Sequence, residues 1–238
     1  MITKRQLQAK YLISGHIELL SGMRIGGSAT PMSIGLPDLT VIRNPLDQKP
    51  YIPGSSLKGK MRSLIEQNNG WIGKSKGSNI QNGPYDLADQ PISRLFGFVN
   101  MNSEENETAA SRLIVRDCPL INSEKFHHTD LLYTESKVEV VIDRVTSQAN
   151  PRTMERVPRG AIFSTEFVLN IFEGDNLEES LNLIKEGMRL LENDYLGSSG
   201  SRGYGQMEFK NVRIQRRAAS YYKEGQSPEE SQTFSWHI

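Results

Sequence analysis

With 238 residues, 37% of them apolar and 24% charged, the chain can bury the core of one elaborated domain but is too short for two large ones. No apolar run approaches membrane-spanning length, so no membrane partner is expected, and a single cysteine, Cys118, excludes an internal disulfide and a thiolate zinc cluster. Lys plus Arg and Asp plus Glu number 28 each, so any case for nucleic acid rests on distribution: basic clusters at 58–62, 144–159 and 213–217 oppose acidic ones at 104–107, 175–179 and 229–230.

Residues 1–10 are polar and basic and lack the apolar region and cleavage site of a signal peptide, so a cytoplasmic location is expected. Tyr11, Ile13, Gly15, Ile17 and Leu19 alternate with Leu12, Ser14, His16 and Glu18, the period of a half-buried strand. A long glycine- and proline-punctuated stretch follows from Ser21-Gly22 to Pro37, and at its end stands Asp38, by composition a turn carboxylate. The next run, Pro53-Gly54-Ser55-Ser56-Leu57-Lys58-Gly59-Lys60-Met61-Arg62, predicts a helix from Ser55 or Ser56 to about Gln67, with Leu57, Met61, Leu64 and Ile65 on its apolar face. A serine-capped N-terminus beside Lys58, Lys60 and Arg62 attracts phosphate; the bland alternative is a solvated helix face. The run is not a P-loop, because Met61 follows Lys60 where Ser or Thr must hold the metal and only Tyr51-Ile52 precedes the loop.

Residues 68–91, rich in Gly, Asn, Ser and Lys, read as an insertion, and a strand begins at 112–115. Val138, Val140 and Ile142 mark another strand, whose pattern resumes at Phe163, Phe167, Leu169 and Ile171. Between them lie Arg144, Arg152, Arg156 and Arg159, so a projecting hairpin over about 138–165 with an arginine-rich tip is expected; the alternative is an exposed loop. Leu177, Leu181, Ile184, Met188 and Leu191 predict a second helix ending near Gly197. In the loop that follows, Gly200, Ser201 and Gly203 allow close backbone approach to a polymer, Arg202 can pair a phosphate and Tyr204 can stack on a base; a helix cap and loose turn is the competing reading. A closing strand over 207–214 and a loosely held polar tail over 218–238 complete an α+β, βαββαβ ferredoxin-like domain spanning 1–238.

Five stretches together resemble the backbone-subunit family of type III-A CRISPR effector complexes, within the repeat-associated mysterious protein (RAMP) superfamily, over most of the chain. They are Ser21-Gly22-Met23-Arg24-Ile25-Gly26-Gly27, the run from Ile52 through Arg62, Arg94-Leu95-Phe96-Gly97, Asp143-Arg144-Val145-Thr146 with Ala149-Asn150-Pro151-Arg152, and Asp194-Tyr195-Leu196-Gly197 on to Gly205. The resemblance implies an RNA-recognition-motif-like palm with a protruding thumb hairpin, stacked head to tail with other copies of itself along a CRISPR RNA. A large polymerase-like subunit, a small subunit and guide-end cap subunits are the other implied partners. By position, Ser55, Ser56, Lys58, Lys60, Arg62 and the loop of Gly200, Ser201, Arg202, Gly203 and Tyr204 would hold guide backbone, while Asn150, Pro151 and Arg152 lie on the thumb with Arg144 and Arg156.

The same resemblance implies that Asp38, in Ile34-Gly35-Leu36-Pro37-Asp38, cleaves target RNA paired to the guide with a weakly held divalent ion, Mg²⁺. Pro37 stands where the family pattern has an apolar residue, and Asn44 where it has an aspartate before Pro45, which leaves open a scaffold without nuclease activity. A guide-processing relative would need a histidine near the glycine-rich loop, and residues 200–205 have none.

Overall fold

The computed structural model of the protein describes residues 6–27, 40–72, 83–85, 90–99, 108–224 and 234–235. In chain order the elements are β1 (Leu7–Leu19), β2 (Tyr51–Ile52), α1 (Gly54–Asn68), α2 (Pro91–Phe96), β3 (Phe98–Val99), β4 (Thr108–Ala109), β5 (Leu113–Val115) and β6 (Cys118–Pro119). After a 3₁₀ turn at Ser123–Phe126 come β7 (Glu135–Ile142), β8 (Ala149–Arg156), β9 (Ile162–Phe172), α3 (Leu177–Glu192), β10 (Met207–Ala218), α4 (Ala219–Glu224) and β11 (Phe234–Ser235). None of these helices is long and apolar enough to cross a membrane.

The alternating residues of β1 form the centre of an antiparallel sheet ordered β11-β10-β1-β9-β5. Setting β11 aside, strands taken in chain order lie 4-1-3-2, and the α1 and α3 crossovers make this the α+β ferredoxin-like arrangement. Ile13, Ile17, Phe163, Phe167 and Leu169 project from one sheet face against Leu57, Met61 and Ile65 of α1 and Ile184, Met188 and Leu191 of α3, all buried. Period two in the strands and period 3.6 in the helices thus meet in one core, and their apolar surfaces leaving water drive the assembly. Cys118 lies in this core, where burial pushes its thiol up to about 11.

The hairpin differs from its sequence expectation of 138–165. β7 and β8 pair with each other from Glu135 opposite Arg156 to Ile142 opposite Ala149, so the thumb is a two-stranded ribbon over 135–156 that reverses at 143–148. The strand containing Phe163 and Phe167 is β9, a palm strand paired with β1 and β5. Arginines gave residues 149–156 the look of a loop, yet the outer part of the ribbon, exposed over 149–152, accepts long cationic side chains. At the reversal the Asp143 carboxylate accepts from the Val145 and Thr146 amides at 2.9 and 2.7 Å, which holds its pKa below the usual carboxylate range.

Within the tail over 218–238, expected to be loosely held, α4 brings Tyr222 and Tyr221 over Lys10 and Arg217, and β11 pairs with Arg213 and Ile214 of β10. Most of the expected insertion over 68–91 lies outside the described residues, although Trp71 and Tyr85 at its two ends approach to 6.0 Å between ring centroids.

The start of α1 is not serine-capped. Pro53 occupies the N-cap position with no side-chain cap bond, and Ser55 and Ser56 fall inside the first turn. The Gly54 amide donates to Asp117 Oδ1 at 2.8 Å, so a carboxylate 63 residues away holds one of the N–H groups that sequence reasoning reserved for phosphate. Asp117→Ala is expected to lower stability by ~0.5–2 kcal/mol, read as a fall in the urea midpoint with unchanged m-value.

Candidate nucleic-acid interface

The three cations of α1 do not form one patch. Residues two apart on a helix point about 200° apart, and each of these side chains finds a different neighbour. Lys58 Nζ donates to Ser111 Oγ at 2.7 Å and Leu113 O at 2.8 Å, and burial, with the Arg62 charge second, lowers its pKa. Lys60 Nζ pairs with Asp194 Oδ2 at 2.9 Å and lies 3.9 Å from the Tyr195 ring centroid. Arg62 donates to the buried Glu66 carboxylate at 2.7 Å and to Gly97 O at 2.9 Å, bracing α1 against the end of α2.

The glycine-rich loop is equally built in. Leu196 donates to Gly205 O and Gly205 to Gly22 O, each at 2.9 Å, while Ser198 donates to Arg24 O at 2.8 Å. Gly197 and Gly205 have φ of +90° and +74°, and a Cβ on either would stand 2.3 Å from Arg24 O or 2.1 Å from Leu196 O. Their missing side chains therefore allow two protein backbones to meet, which corrects the reading of a loose loop open to a polymer.

Tyr204 is corrected as well. It is 1% exposed, and its ring lies 4.5 Å from Lys137 Nζ and 5.1 Å from the Arg156 guanidinium, leaving no face for a nucleobase. Its ionisation is pushed up to about 12, first by burial and then by the Glu139 carboxylate that faces it. Tyr204 still contributes to the wall of an open cleft of about 490 Å³ that Gly200, Ser201 and Gly203 line with Glu192, Asp194 and Tyr195, and Arg202 is exposed beside it.

The thumb base closes onto the same place. Met23 and Val157 exchange backbone bonds at 2.9 and 2.8 Å, tying the segment after β1 to the end of β8. Arg156 Nε donates to Glu135 Oε1 at 2.6 Å, and Arg202 Nη1 donates to Glu139 Oε2. The β7–β8 register puts Glu135, Lys137, Glu139, Asn150, Arg152 and Arg156 on the ribbon face turned toward this loop. Pro151 belongs to the opposite face with the exposed Val138, Val140 and Ile142, so Asn150, Pro151 and Arg152 do not act from one side. Arg144 lies exposed in the reversal.

Asp38 lies outside the described residues, but both ends of its loop are fastened. Ile42 donates to Ile25 O at 2.9 Å, and Glu155, 4% exposed, accepts from the Val41 amide at 2.8 Å and from Thr134 Oγ1 at 2.7 Å while pairing with Arg43. Sequence reasoning missed Arg43, Asp117, Glu135, Lys137, Glu139 and Glu155 as partners. For Lys137 and Glu139 a signal existed, since alternation in β7 places them on one face; the others are paired by contacts distant in sequence. Among the described residues no three His, Cys, Asp or Glu side chains stand together as a metal cage.

A model of the RAMP superfamily matches residues 16–208. A protein of Methanothermobacter thermautotrophicus named "CRISPR system Cms endoribonuclease Csm3" is 38% identical over 231 residues, covering 92% of this chain and 91% of its own. A protein of Streptococcus thermophilus with the same name is 42% identical over 208 residues, covering 86% and 89%. Among solved structures, the Csm3–Csm4 subcomplex of the type III-A CRISPR-Cas interference complex superposes with a TM-score of 0.60 at 28% identity, covering 97% of this chain and 90% of that one.

Two outcomes follow from the geometry at the loop. Gly205→Ala should cost more than ~1 kcal/mol in denaturant unfolding, because the new Cβ requires both a left-handed backbone and displacement of a carbonyl. The Tyr204 phenol, isolated as the 295 nm titration difference between wild type and Tyr204→Phe, should ionise near pH 12. Its folded pKa is raised, so its stabilisation is complete below the unfolded value of about 10 and is lost as pH rises toward 12.

Proposed function

The chain belongs to the RAMP superfamily, and from that membership we propose that it is an RNA-binding backbone subunit of a type III CRISPR effector complex that cleaves RNA complementary to the bound guide. The observation carrying this reading is the convergence of Arg24, Lys137, Arg152, Arg156 and Arg202 where the thumb base, the segment after β1 and the glycine-rich loop meet. Cations from three distant segments beside an open cleft suit the backbone of a single strand, which is held through charge and shape rather than base edges. The endoribonuclease names of the relatives support the catalytic half of the proposal.

CRISPR RNA, target RNA, further copies of this chain and other type III subunits are its partners, met in the cytoplasm. Head-to-tail stacking of copies is a heterologous contact, and the charge distribution suits it: Arg144 and Arg152 project on the thumb, whereas Glu178, Glu179 and Glu186 line a groove along α3.

For the reaction, the 2′-hydroxyl of a displaced target nucleotide attacks its adjacent phosphorus in line. The P–O5′ bond breaks as the P–O2′ bond forms, leaving a 2′,3′-cyclic phosphate and a 5′-hydroxyl once the departing oxygen takes a proton. Asp38 accepts the attacking hydroxyl's proton or orients that group. The divalent ion, Mg²⁺, would supply charge stabilisation at the phosphate, and the described residues form no cage for it.

The test is cleavage of a guide-complementary RNA by the assembled complex, with wild type and Asp38→Ala compared after both are shown to retain guide RNA. Regularly spaced cuts that slow at least ~100-fold in the variant, and that stop on chelation, support the proposal. Unchanged cuts move the nuclease elsewhere, and no cuts from either protein leave the chain a guide-binding scaffold.

A further inference from the structure

Glu139 occupies an unusual position for an acid. It projects from β7 directly opposite Arg152 and on the same ribbon face as Lys137 and Arg156. Arg202 reaches across from the glycine-rich loop to bond its Oε2, and Lys137 Nζ lies 3.7 Å from its Oε1. Two cations thus contact it, Arg152 stands at the facing register position, and the one other acid of that face, Glu135, is already paired with Arg156. The Glu139 side chain is 13% exposed, whereas the Arg202 side chain that covers it is 59% exposed. Both Glu139 Oε1 and the Tyr204 hydroxyl facing it are shielded from solvent and lack a hydrogen-bond partner of full geometry.

We propose that Glu139 is an internal surrogate for an RNA phosphate, holding Arg202 until a guide strand displaces it. A carboxylate and a phosphodiester each carry one negative charge and offer two oxygens to a guanidinium, so Arg202 exchanges one for the other without change of charge. The same ion pair ties thumb strand β7 to the glycine-rich loop, so the exchange also releases the thumb from that loop. A lone phosphate competes with a tethered carboxylate at a disadvantage. A polymer that engages Arg152, Arg156 and neighbouring cations at the same time does not, because its further contacts are made at high effective concentration. Glu139 therefore selects a phosphate chain over free phosphate or mononucleotide and couples guide loading to thumb orientation. This inference rests on the reading of Arg202 and the thumb arginines as RNA ligands.

The experiment measures fluorescence anisotropy of fluorescein-labelled single-stranded polyuridylate with the full chain over a range of salt, using wild type, Glu139→Gln and Glu139→Asp. Far-UV circular dichroism first establishes that each variant is folded. Freed from its competitor, Glu139→Gln should bind about tenfold more tightly at low salt. Its plot of log K against log salt should steepen by about 0.7, because in the wild type the carboxylate freed by the strand takes up a cation that offsets the counterion released at one phosphate. Glu139→Asp keeps the charge but shortens the reach, and should fall between the two; it carries the test if the Gln variant misfolds. Glu139→Gln binding no more tightly than wild type, or Glu139→Asp matching wild type while Gln is tighter, overturns the surrogate and leaves RNA binding intact. Absence of binding by all three proteins overturns the RNA-binding reading together with it.

Discussion

The functional face depends on a short backbone run, residues 20–24, wedged between two others. On one side Gly22 O accepts from the Gly205 amide and Arg24 O from the Ser198 amide; on the other Met23 exchanges bonds with Val157. These contacts hold the end of the first palm strand, the base of the thumb and the glycine-rich loop in one fixed relation. On the loop side the backbones pass closer than a side chain permits, so a Cβ at Gly197 would strike Arg24 O and one at Gly205 would strike Leu196 O. Every cation of the interface hangs from one of these three segments or faces them.

A second consequence is that positive charge here is held by the protein itself. Lys58, Lys60, Arg62, Arg156 and Arg202 all have internal partners, most of them carboxylates on neighbouring elements. A basic cluster without such partners would repel itself and destabilise the fold at low ionic strength. Pairing removes that repulsion and fixes side-chain directions, at the cost that an incoming phosphate must compete with an acid already in place. The exposed member of each pair matters most: Arg202 is open to solvent, while Arg62, paired with buried Glu66, is a brace.

Of the fold, the palm was legible before any coordinates. The alternation at Ile13, Ile17 and Leu19 and the helical spacing of Leu57, Met61, Leu64 and Ile65 each report which face leaves water, and burial follows that pattern. The hairpin was only half legible. Its existence showed in the polar interval between strand patterns, but its limits did not, because toward its tip both faces are exposed and no burial period remains to read; Val140 and Val141 are both about half exposed. The site was legible as a set of stretches, since glycine and arginine density marked residues 196–205 and 144–159. Individual roles were not: Tyr204 looked like a stacking platform because an aromatic in a glycine-rich loop is normally exposed, and here Lys137 and Arg156 cover it.

The sequence by itself determined the secondary structure of the palm, the βαββαβ order and the family, because these depend on periodicities and ordered motifs that are local in the chain. Only the tertiary structure decided which cations are spoken for. The partner of Lys60 is 134 residues away at Asp194, that of Arg202 is Glu139, and that of the Gly54 amide is Asp117. Charge pairing acts through space over a few ångströms, and no pattern along the chain encodes which distant side chain the fold will bring within that range.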